Sequence, residues 1–215
     1  MKKIVRTKEH LRRLIITNQL NNHTLENYDY SHITDFSNLF SRVKGLKTIP
    51  NLDTSNVVNV EKMFAYCEDL LFCPKLDLNK VKNVSKMFYS CTKLKTIGGF
   101  DNSHNLLSLK ETFSLCSNLT HIPFFNTRNV IDFSEIFLNC YHLQKLPKLN
   151  MFNAETINWG ILHCNHLNIK DKILFNTHDL SNDFKRKVLN NLSQEDLEKI
   201  LSNLSFAPTI NKNKD

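Results

Sequence analysis

The sequence predicts an α/β solenoid built from about six units of 24 residues. Three slots recur at this interval: an aromatic residue, a cysteine three positions later and a leucine six positions later. The aromatic slot holds Phe40, Phe64, Phe88, Phe113, Phe137 and, imperfectly, Ile161. The other two slots hold Val43, Cys67, Cys91, Cys116, Cys140 and Cys164, and Leu46, Leu70, Leu94, Leu119, Leu143 and Leu167. A unit of this length buries its apolar face only when units stack.

A short helix is predicted around each aromatic slot. Five positions before the slot stands a residue type that caps helices by accepting a bond from a free backbone N–H. These residues are Asp35, Asn59, Asn83, Ser108, Asp132 and Thr156. Apolar residues then follow the spacing of one helical face, as in Phe36, Leu39, Phe40 and Val43. Each unit is therefore expected to contain about two turns of helix.

A brief parallel strand is predicted after the leucine slot. Pro50, Pro74, Pro123 and Pro147 share one position there. Because proline has no N–H to donate, it does not fit inside a fully bonded ladder. The paired part should thus be the two to four residues before each proline, followed by a polar turn such as residues 53–56.

Helical caps are predicted at both ends of the repeat region, residues 31–170. In residues 1–30, Thr7 can cap a helix through Leu20 that places Leu11 and Leu14 on one side. This helix can cover the first unit, and the alternative is a basic helix that docks on a partner. Two amphipathic helices are predicted in residues 171–206, and a disordered tail in 207–215.

The composition indicates a globular protein rather than a disordered one, with 41% hydrophobic and 23% charged residues. The formal charge of +7 suits an acidic partner, a nucleic acid or an anionic surface. Charged residues from Lys8 to Arg13 interrupt any signal-peptide core, and no apolar run is long enough for a transmembrane segment. We therefore expect a cytoplasmic protein, or one delivered by a Sec-independent route, that does not use a membrane.

The cysteines are predicted to form a ladder of buried free thiols, not disulfides. Five share one slot, so their Cβ atoms should lie about 4.8 Å apart and point in parallel, unlike disulfide-bonded pairs. The candidate metal ligands are His163, Cys164, His166 and His178. A metal site is not expected there, because Cys164 occupies the buried ladder slot and His163 and His166 point away from it. We expect no metal, no cofactor, no catalytic residue and no enzyme activity.

The repeats resemble the BspA-like leucine-rich repeat family. The resemblance rests on the units VVNVEKMFAYCEDL, VKNVSKMFYSCTKL and LLSLKETFSLCSNL, on the turn KTIPNLDTSN and on the opening SHITDFSNLF, over roughly residues 31–168. It implies a right-handed leucine-rich-repeat stack with a parallel sheet and short helices. It also implies a role in adhesion or protein binding, and members of that family are often surface proteins.

The candidate partner-binding residues lie on or beside the predicted strands, where sister units differ. They are Lys47, Phe72, Lys95, His121, Phe124 and Lys145. An apolar residue at a position that is polar in other units indicates an interaction hot spot, although Phe72 and Phe124 can also cover irregular local packing. The sequence thus favours a non-enzymatic protein-binding scaffold that acts as a regulator, inhibitor or effector. The alternative is a nucleic-acid or ribonucleoprotein binder that uses the lysines.

Overall fold

The computed structural model describes residues 2–17, 27–151, 153–168, 171 and 195. These residues contain one α-helix, one 3-10 helix and six strands of two residues each. The elements are β1 (Lys3–Ile4), α1 (Lys8–Ile16), β2 (Tyr28–Asp29), β3 (Phe72–Cys73), β4 (Leu76–Asp77), β5 (Thr96–Ile97), β6 (Phe100–Asp101) and the 3-10 helix Ser103–Asn105. Turns and extended segments therefore make up most of the described chain.

The strands pair in parallel and form three separate two-stranded sheets. β1 pairs with β2, β3 with β5 and β4 with β6. Within β3 and β5, Phe72 lies opposite Thr96, and an isolated bridge continues this row from Phe72 to Thr48. Pro74 follows β3 directly. Pairing stops at Pro74 as expected, but it resumes after the proline at β4, which the sequence did not predict.

The predicted fold, a right-handed leucine-rich-repeat stack with a short helix in each unit and helical caps at both ends, is wrong as a whole, although a helix does lie at the N-terminal end. The described residues of the repeat region contain no α-helix, and their strand pairs do not join into one sheet or close into a solenoid. The predicted helical cap in residues 171–206 lies outside the described residues apart from Asp171 and Glu195. The tail predicted in 207–215 lies outside them as well.

The segment around each aromatic slot is a run of overlapping β-turns. In the third unit, the N–H of Cys91 donates to the carbonyl of Phe88, three residues earlier, at 3.0 Å. The N–H of Phe88 instead donates to the carbonyl of Thr112 in the next unit, and that of Ser90 donates to Ser114, both at 2.9 Å. A helix would direct each of these N–H groups to a carbonyl four residues earlier. Alternate N–H groups thus join neighbouring units.

Two residues of each unit have a left-handed backbone, which is incompatible with a helix. Their φ angles lie between 52° and 63°. They are Asn38, Lys62, Lys86, Glu111, Glu135 and Trp159, two positions before the aromatic slot, and Arg42, Tyr66, Ser90, Leu115, Asn139 and His163, two positions after it. This geometry costs a residue other than glycine about 1–2 kcal/mol. The hydrogen bonds between units offset that cost.

The polar residue five positions before the aromatic slot forms a turn instead of a helix cap. Oδ1 of Asp35, Asn59, Asn83 and Asp132, and Oγ of Ser108, each accept a bond from the backbone N–H two residues later, at 2.8–3.3 Å. The oxygen atom does accept an N–H, as expected of these residue types, but within an Asx or Ser turn. The recurrence of these polar residues is therefore explained by a turn in each unit and not by a helix cap.

The aromatic slots build the centre of the core. Phe40, Phe64, Phe88, Phe113 and Phe137 are fully buried, and their ring centroids follow one another at 5.1, 5.3, 5.5 and 5.8 Å. Each stacked pair contributes about 0.5–1.5 kcal/mol beyond the burial of apolar area. The row of rings thus runs across the same units that the backbone hydrogen bonds connect.

Helix α1 covers the open edge of the first unit. Thr7 caps it by accepting a bond from the N–H of His10, as predicted, and the helix ends at Ile16. The Arg12 guanidinium donates to the carbonyls of Asn38, Leu39 and Ser41 at 2.5, 2.7 and 2.7 Å. In later units, the carbonyls equivalent to Leu39 and Ser41 accept bonds from the preceding unit. Arg12 therefore makes the hydrogen bonds that the backbone of a preceding unit makes elsewhere in the repeats.

Substitution of Ser90 distinguishes a run of overlapping β-turns from a helix in the third unit. Because Ser90 has φ 59°, we expect Ser90→Gly to be more stable than Ser90→Ala by about 0.5–1 kcal/mol in urea unfolding. Arg13 in α1 is the matched control, since glycine there should be less stable than alanine by a similar amount. The same order of stability at both sites would contradict the assigned backbone.

Candidate functional site

We define the strand-segment surface as the residues seven, eight and eleven positions after the aromatic slot in the first five units. Its members are Lys47, Thr48, Asn51, Leu71, Phe72, Lys75, Lys95, Thr96, Gly99, Thr120, His121, Phe124, Gln144, Lys145 and Lys148. The position after the first two of these rows is apolar and mostly buried, as at Ile49, Cys73 and Ile97. The core therefore fixes the backbone from which the surface residues project.

A row of backbone hydrogen bonds holds the strand-segment surface together. The N–H of Leu71 donates to the carbonyl of Lys47 at 2.9 Å, and the N–H of Lys95 donates to the carbonyl of Leu71 at 3.1 Å. Thr120 continues the row to Lys95 at 3.0 Å, and Gln144 continues it to Thr120 at 3.4 Å. All five units are thus connected at this surface.

All six candidate partner-binding residues are exposed: Lys47, Phe72, Lys95, His121, Phe124 and Lys145. Phe72 is 41% exposed and Phe124 is 68% exposed. Lys47 and Lys95 belong to the hydrogen-bonded row, and Phe72, His121 and Lys145 each follow it by one residue. Phe124 stands farther along, beyond Pro123. The structure therefore aligns the first five across the units, and no ring contact joins Phe72 and Phe124 in the described chain.

The strand-segment surface contains five lysines and one histidine but no aspartate or glutamate. Lys75 forms a salt bridge with Asp101, a neighbour outside this surface, at 2.9 Å. Lys47, Lys95, Lys145 and Lys148 form no salt bridge with any residue that the structure describes. The surface therefore carries a local excess of positive charge.

A second cluster, on the turn segments, was not predicted. The Arg42 guanidinium lies 4.1 Å from the centroid of the Tyr66 ring, and the Tyr66 and Tyr89 rings meet edge to face at 5.4 Å. Lys86 lies over Tyr89 and contacts Glu111 at 3.2 Å. Desolvation opposes the charge of Lys86, but the hydrogen bond and charge of Glu111 outweigh it and raise the pKa of Lys86. Since these charges are paired internally, the cluster stabilises neighbouring units.

The sequence signal for this second cluster is weak. Its members stand one or two positions away from the aromatic slots, where the units hold residues of many types. Their side chains meet only because the left-handed residues turn them outward in register. A helix would place Tyr66 and Tyr89 differently, so the wrong helix prediction concealed the cluster.

A cavity of about 270 Å³ lies beside Asn51 at the first-unit end. Tyr28, Tyr30 and the carboxylates of Asp29 and Asp53 line it, together with Lys2. Hydrogen bonds from Ser31 and Ser55 lower the pKa of Asp29 and of Asp53, respectively. A general acid at neutral pH needs a raised carboxyl pKa, so these carboxylates do not suit that role.

The sequence matches the protein family described as "Mycoplasma protein of unknown function, DUF285" over residues 9–121 and over residues 73–172. The two overlapping matches together cover the repeat units and α1 from its second residue onward. The chain belongs to this family. No curated protein and no solved structure matches the chain. Membership in DUF285 therefore identifies the repeat region without assigning an activity to it.

The cysteines of this DUF285 protein form the predicted ladder of buried free thiols. In five of the six, Sγ donates to the carbonyl of the preceding unit's aromatic slot: Cys67 to Phe40, Cys91 to Phe64, Cys116 to Phe88, Cys140 to Phe113 and Cys164 to Phe137, all at 3.0–3.1 Å. The sixth, Cys73, lies outside the ladder, and its Sγ donates to the carbonyl of Pro74 at 3.3 Å. The first unit has no preceding unit to supply a carbonyl, and it holds Val43 in this slot. The thiol is thus a linker between units.

The residues considered for a metal site do not converge in the described structure. Cys164 is buried in the ladder, while His163 and His166 are exposed. His163 Nδ1 lies 2.6 Å from Oδ1 of Asn139, and the His166 ring packs 5.3 Å from that of His142. No group of three or more metal-ligating side chains occurs among the described residues. His178 lies outside them.

None of the helices in the described parts of this DUF285 protein has the length and apolar character needed to cross a bilayer.

The thiols should be unreactive in the native state. Burial raises the pKa of Cys67 and of Cys116 to about 12, and raises the pKa values of Cys73, Cys91 and Cys140 as well. We expect Ellman's reagent at pH 8 to label none of the six cysteines before denaturant is added, and all of them afterwards. Lys148→Cys, at an exposed position, is the positive control. Labelling of a ladder cysteine at the control's rate would contradict the assignment.

The same raised pKa values make stability depend on pH. Since burial disfavours the thiolate, these cysteines make their full contribution to the free energy of unfolding below the unfolded-state pKa of about 8.5. That contribution is lost as the pH rises toward their pKa values in the folded state.

Proposed function

We propose that this protein is a non-enzymatic protein-binding scaffold that engages a partner through the strand-segment surface, as a regulator, inhibitor or effector. The observation that carries the proposal is the exposed apolar pair Leu71 and Phe72, which is flanked by Lys47 and Lys95 in neighbouring units. Exposed apolar groups with a polar rim are characteristic of protein interaction sites.

The rigidity of the surrounding backbone supports this proposal. Phe72 is paired with Thr96 on one side and bridged to Thr48 on the other, and the adjacent Cys73 is buried. The Phe72 ring therefore cannot turn into the core without breaking these contacts. A backbone held in this way need not be ordered when a partner binds, which lowers the entropic cost of binding at this position.

Phe124 supports the proposal at a second position of the same surface. The equivalent positions in other units hold Asn51, Lys75, Gly99 and Lys148. Its ring is more exposed than that of Phe72. An aromatic side chain at a polar position of a repeat has no role in joining the units, which favours a role in binding.

The titratable groups that the structure describes support a non-enzymatic role. The buried thiols are protonated at neutral pH, and the carboxylates beside the cavity have lowered pKa values. Neither set supplies an activated nucleophile or a general acid. We place the protein in a reducing setting, either the cytoplasm or a cell reached by a Sec-independent route, where six free thiols persist.

The resemblance of the repeat residues to BspA-like proteins agrees with a binding role. The slots that carry the resemblance are core and turn positions. These positions define the repeat structure, so we assign recognition of the partner to the positions that differ between units.

A second candidate function is binding of a nucleic acid or ribonucleoprotein. The observation that favours it is the absence of acidic residues from the strand-segment surface, which leaves Lys47, Lys95 and Lys145 free to contact phosphates. Such binding weakens steeply as the salt concentration rises.

Affinity capture with matched aromatic variants tests the proposed function. Phe72→Ala and Phe124→Ala should each weaken capture of a discrete protein at least about tenfold, since hot-spot aromatics contribute about 2 kcal/mol or more. Tyr141→Ala and Trp159→Ala are the controls, because these side chains are 40% and 67% exposed but lie outside the strand-segment surface. Capture should persist after nuclease treatment. Loss of capture with nuclease, or an equal effect of the controls, would contradict protein binding at this surface.

A further inference from the structure

The strand-segment surface contains lysines but no acidic residue. On the turn segments, Lys86 is paired with Glu111, and beside the leucine slots Lys93 is paired with Asp69 at 2.7 Å. Other exposed lysines of the repeats, such as Lys82 and Lys110, form no salt bridge among the described residues. Lys47, Lys95, Lys145 and Lys148 form none either, and on this surface they lie beside exposed apolar side chains. The combination of local positive charge and apolar groups is complementary to an acidic partner.

Lys47 and Lys95 occupy equivalent positions two units apart on the strand-segment surface. They are separated by two steps of the backbone row, with Leu71 between them. Because neighbouring strands lie about 4.8 Å apart, two steps place the two lysine backbones about 9.6 Å apart. Two further steps lead from Lys95 to Gln144, and Lys145 stands one residue beyond it. The apolar Leu71 and Phe72 thus separate the first two lysines, whereas Thr120 and His121 lie between Lys95 and Lys145.

A polyproline-II segment has a matching period. It rises about 3.1 Å per residue with three residues per turn, so every third side chain lies on the same face at about 9.3 Å. Carboxylates at every third residue would thus meet the lysines in turn. Apolar residues between the carboxylates would meet the Leu71 and Phe72 side chains.

We propose that the partner contributes an acidic segment in polyproline-II conformation, with carboxylates at every third residue and apolar residues between them, which lies across the repeat units on the strand-segment surface. This inference rests on the proposed function and specifies the chemistry of the partner. Two features favour a protein segment over a nucleic acid. The apolar Leu71 and Phe72 separate Lys47 from Lys95, and the surface holds no arginine, the residue best suited to bidentate phosphate contacts.

Fluorescence anisotropy with designed peptides tests the spacing. The probe is a labelled peptide of four Glu-Leu-Pro triplets, which favours polyproline II. Its control has the same composition with the four glutamates contiguous, and a single-stranded DNA of equal charge is the third probe. The triplet peptide should bind the full chain at least about tenfold more tightly than its isomer. Equal binding of the two peptides, no binding of the triplet peptide, or tighter binding of the DNA would overturn the inference.

Charge-neutralising variants locate the contact. Lys95→Gln should weaken binding of the triplet peptide about two- to fivefold, in line with one exposed ion pair, and Lys47→Gln with Lys95→Gln and Lys145→Gln together should weaken it at least about tenfold. Lys82→Gln is the matched control, since Lys82 is exposed in the same unit as Lys95 but outside this surface. An effect of Lys82→Gln as large as that of Lys95→Gln would show that net charge alone binds the peptide and would overturn the inference.

The captured partner separates the two proposals. If its binding depends on Phe72 and Phe124 but is unchanged by the three lysine substitutions, the proposed function holds and the acidic-segment inference fails. If the triplet peptide binds as expected but no protein is captured through the aromatic residues, the proposed function fails.

Discussion

The fold of this protein depends on backbone hydrogen bonds between neighbouring repeat units. Alternate N–H groups of each turn segment donate to carbonyls of the next unit, as Phe64 does to Met87 and Phe88 does to Thr112, both at 2.9 Å. The remaining N–H groups close turns within their own unit. Each unit therefore needs a neighbour on both sides to satisfy its backbone, and an unsatisfied buried group costs about 1–3 kcal/mol.

This constraint explains why the same side chains recur in every unit. A cysteine thiol reaches the carbonyl of the preceding phenylalanine slot, and in four units the asparagine of the polar turn reaches a carbonyl of the preceding unit: Asn56, Asn105, Asn129 and Asn153. Arg12 of α1 supplies the corresponding donors at the first unit. The abundant asparagines thus connect units. Residues vary between units on the turn segments and on the strand-segment surface, but exposed apolar side chains lie beside lysines without salt bridges on the latter, and we therefore assign partner binding to it.

The sequence was sufficient to predict the repeat period, the buried slots, the thiol ladder and a helix capped by Thr7, because each follows from apolar or capping residues at fixed positions. It was misleading at the turn segments. The slots of Val84, Met87, Phe88 and Cys91 have helical spacing, yet a run of overlapping turns buries the same four positions. The residues that decide between the two are left-handed, and they include Lys86 and Ser90 rather than glycine. Nothing in their chemistry indicates a positive φ, since the neighbouring unit imposes it.

The candidate site was also predictable only in part. Exposure of Phe72 and Phe124 follows from comparing units, whereas the pairing state of each lysine depends on side chains that only the folded chain brings together. The Arg42, Tyr66 and Tyr89 cluster was not predictable, because the left-handed residues determine its geometry. Sequence comparison between units therefore identifies the candidate binding residues, and the three-dimensional structure determines which of their charges remain unpaired.

Scalar coupling across hydrogen bonds, measured by a long-range HNCO experiment on labelled protein, tests the central claim most directly. The structure predicts a correlation from the amide nitrogen of Phe88 to the carbonyl carbon of Thr112 in the next unit. A correlation from Phe88 to the carbonyl of Val84, four residues earlier, would show a helix and contradict the account.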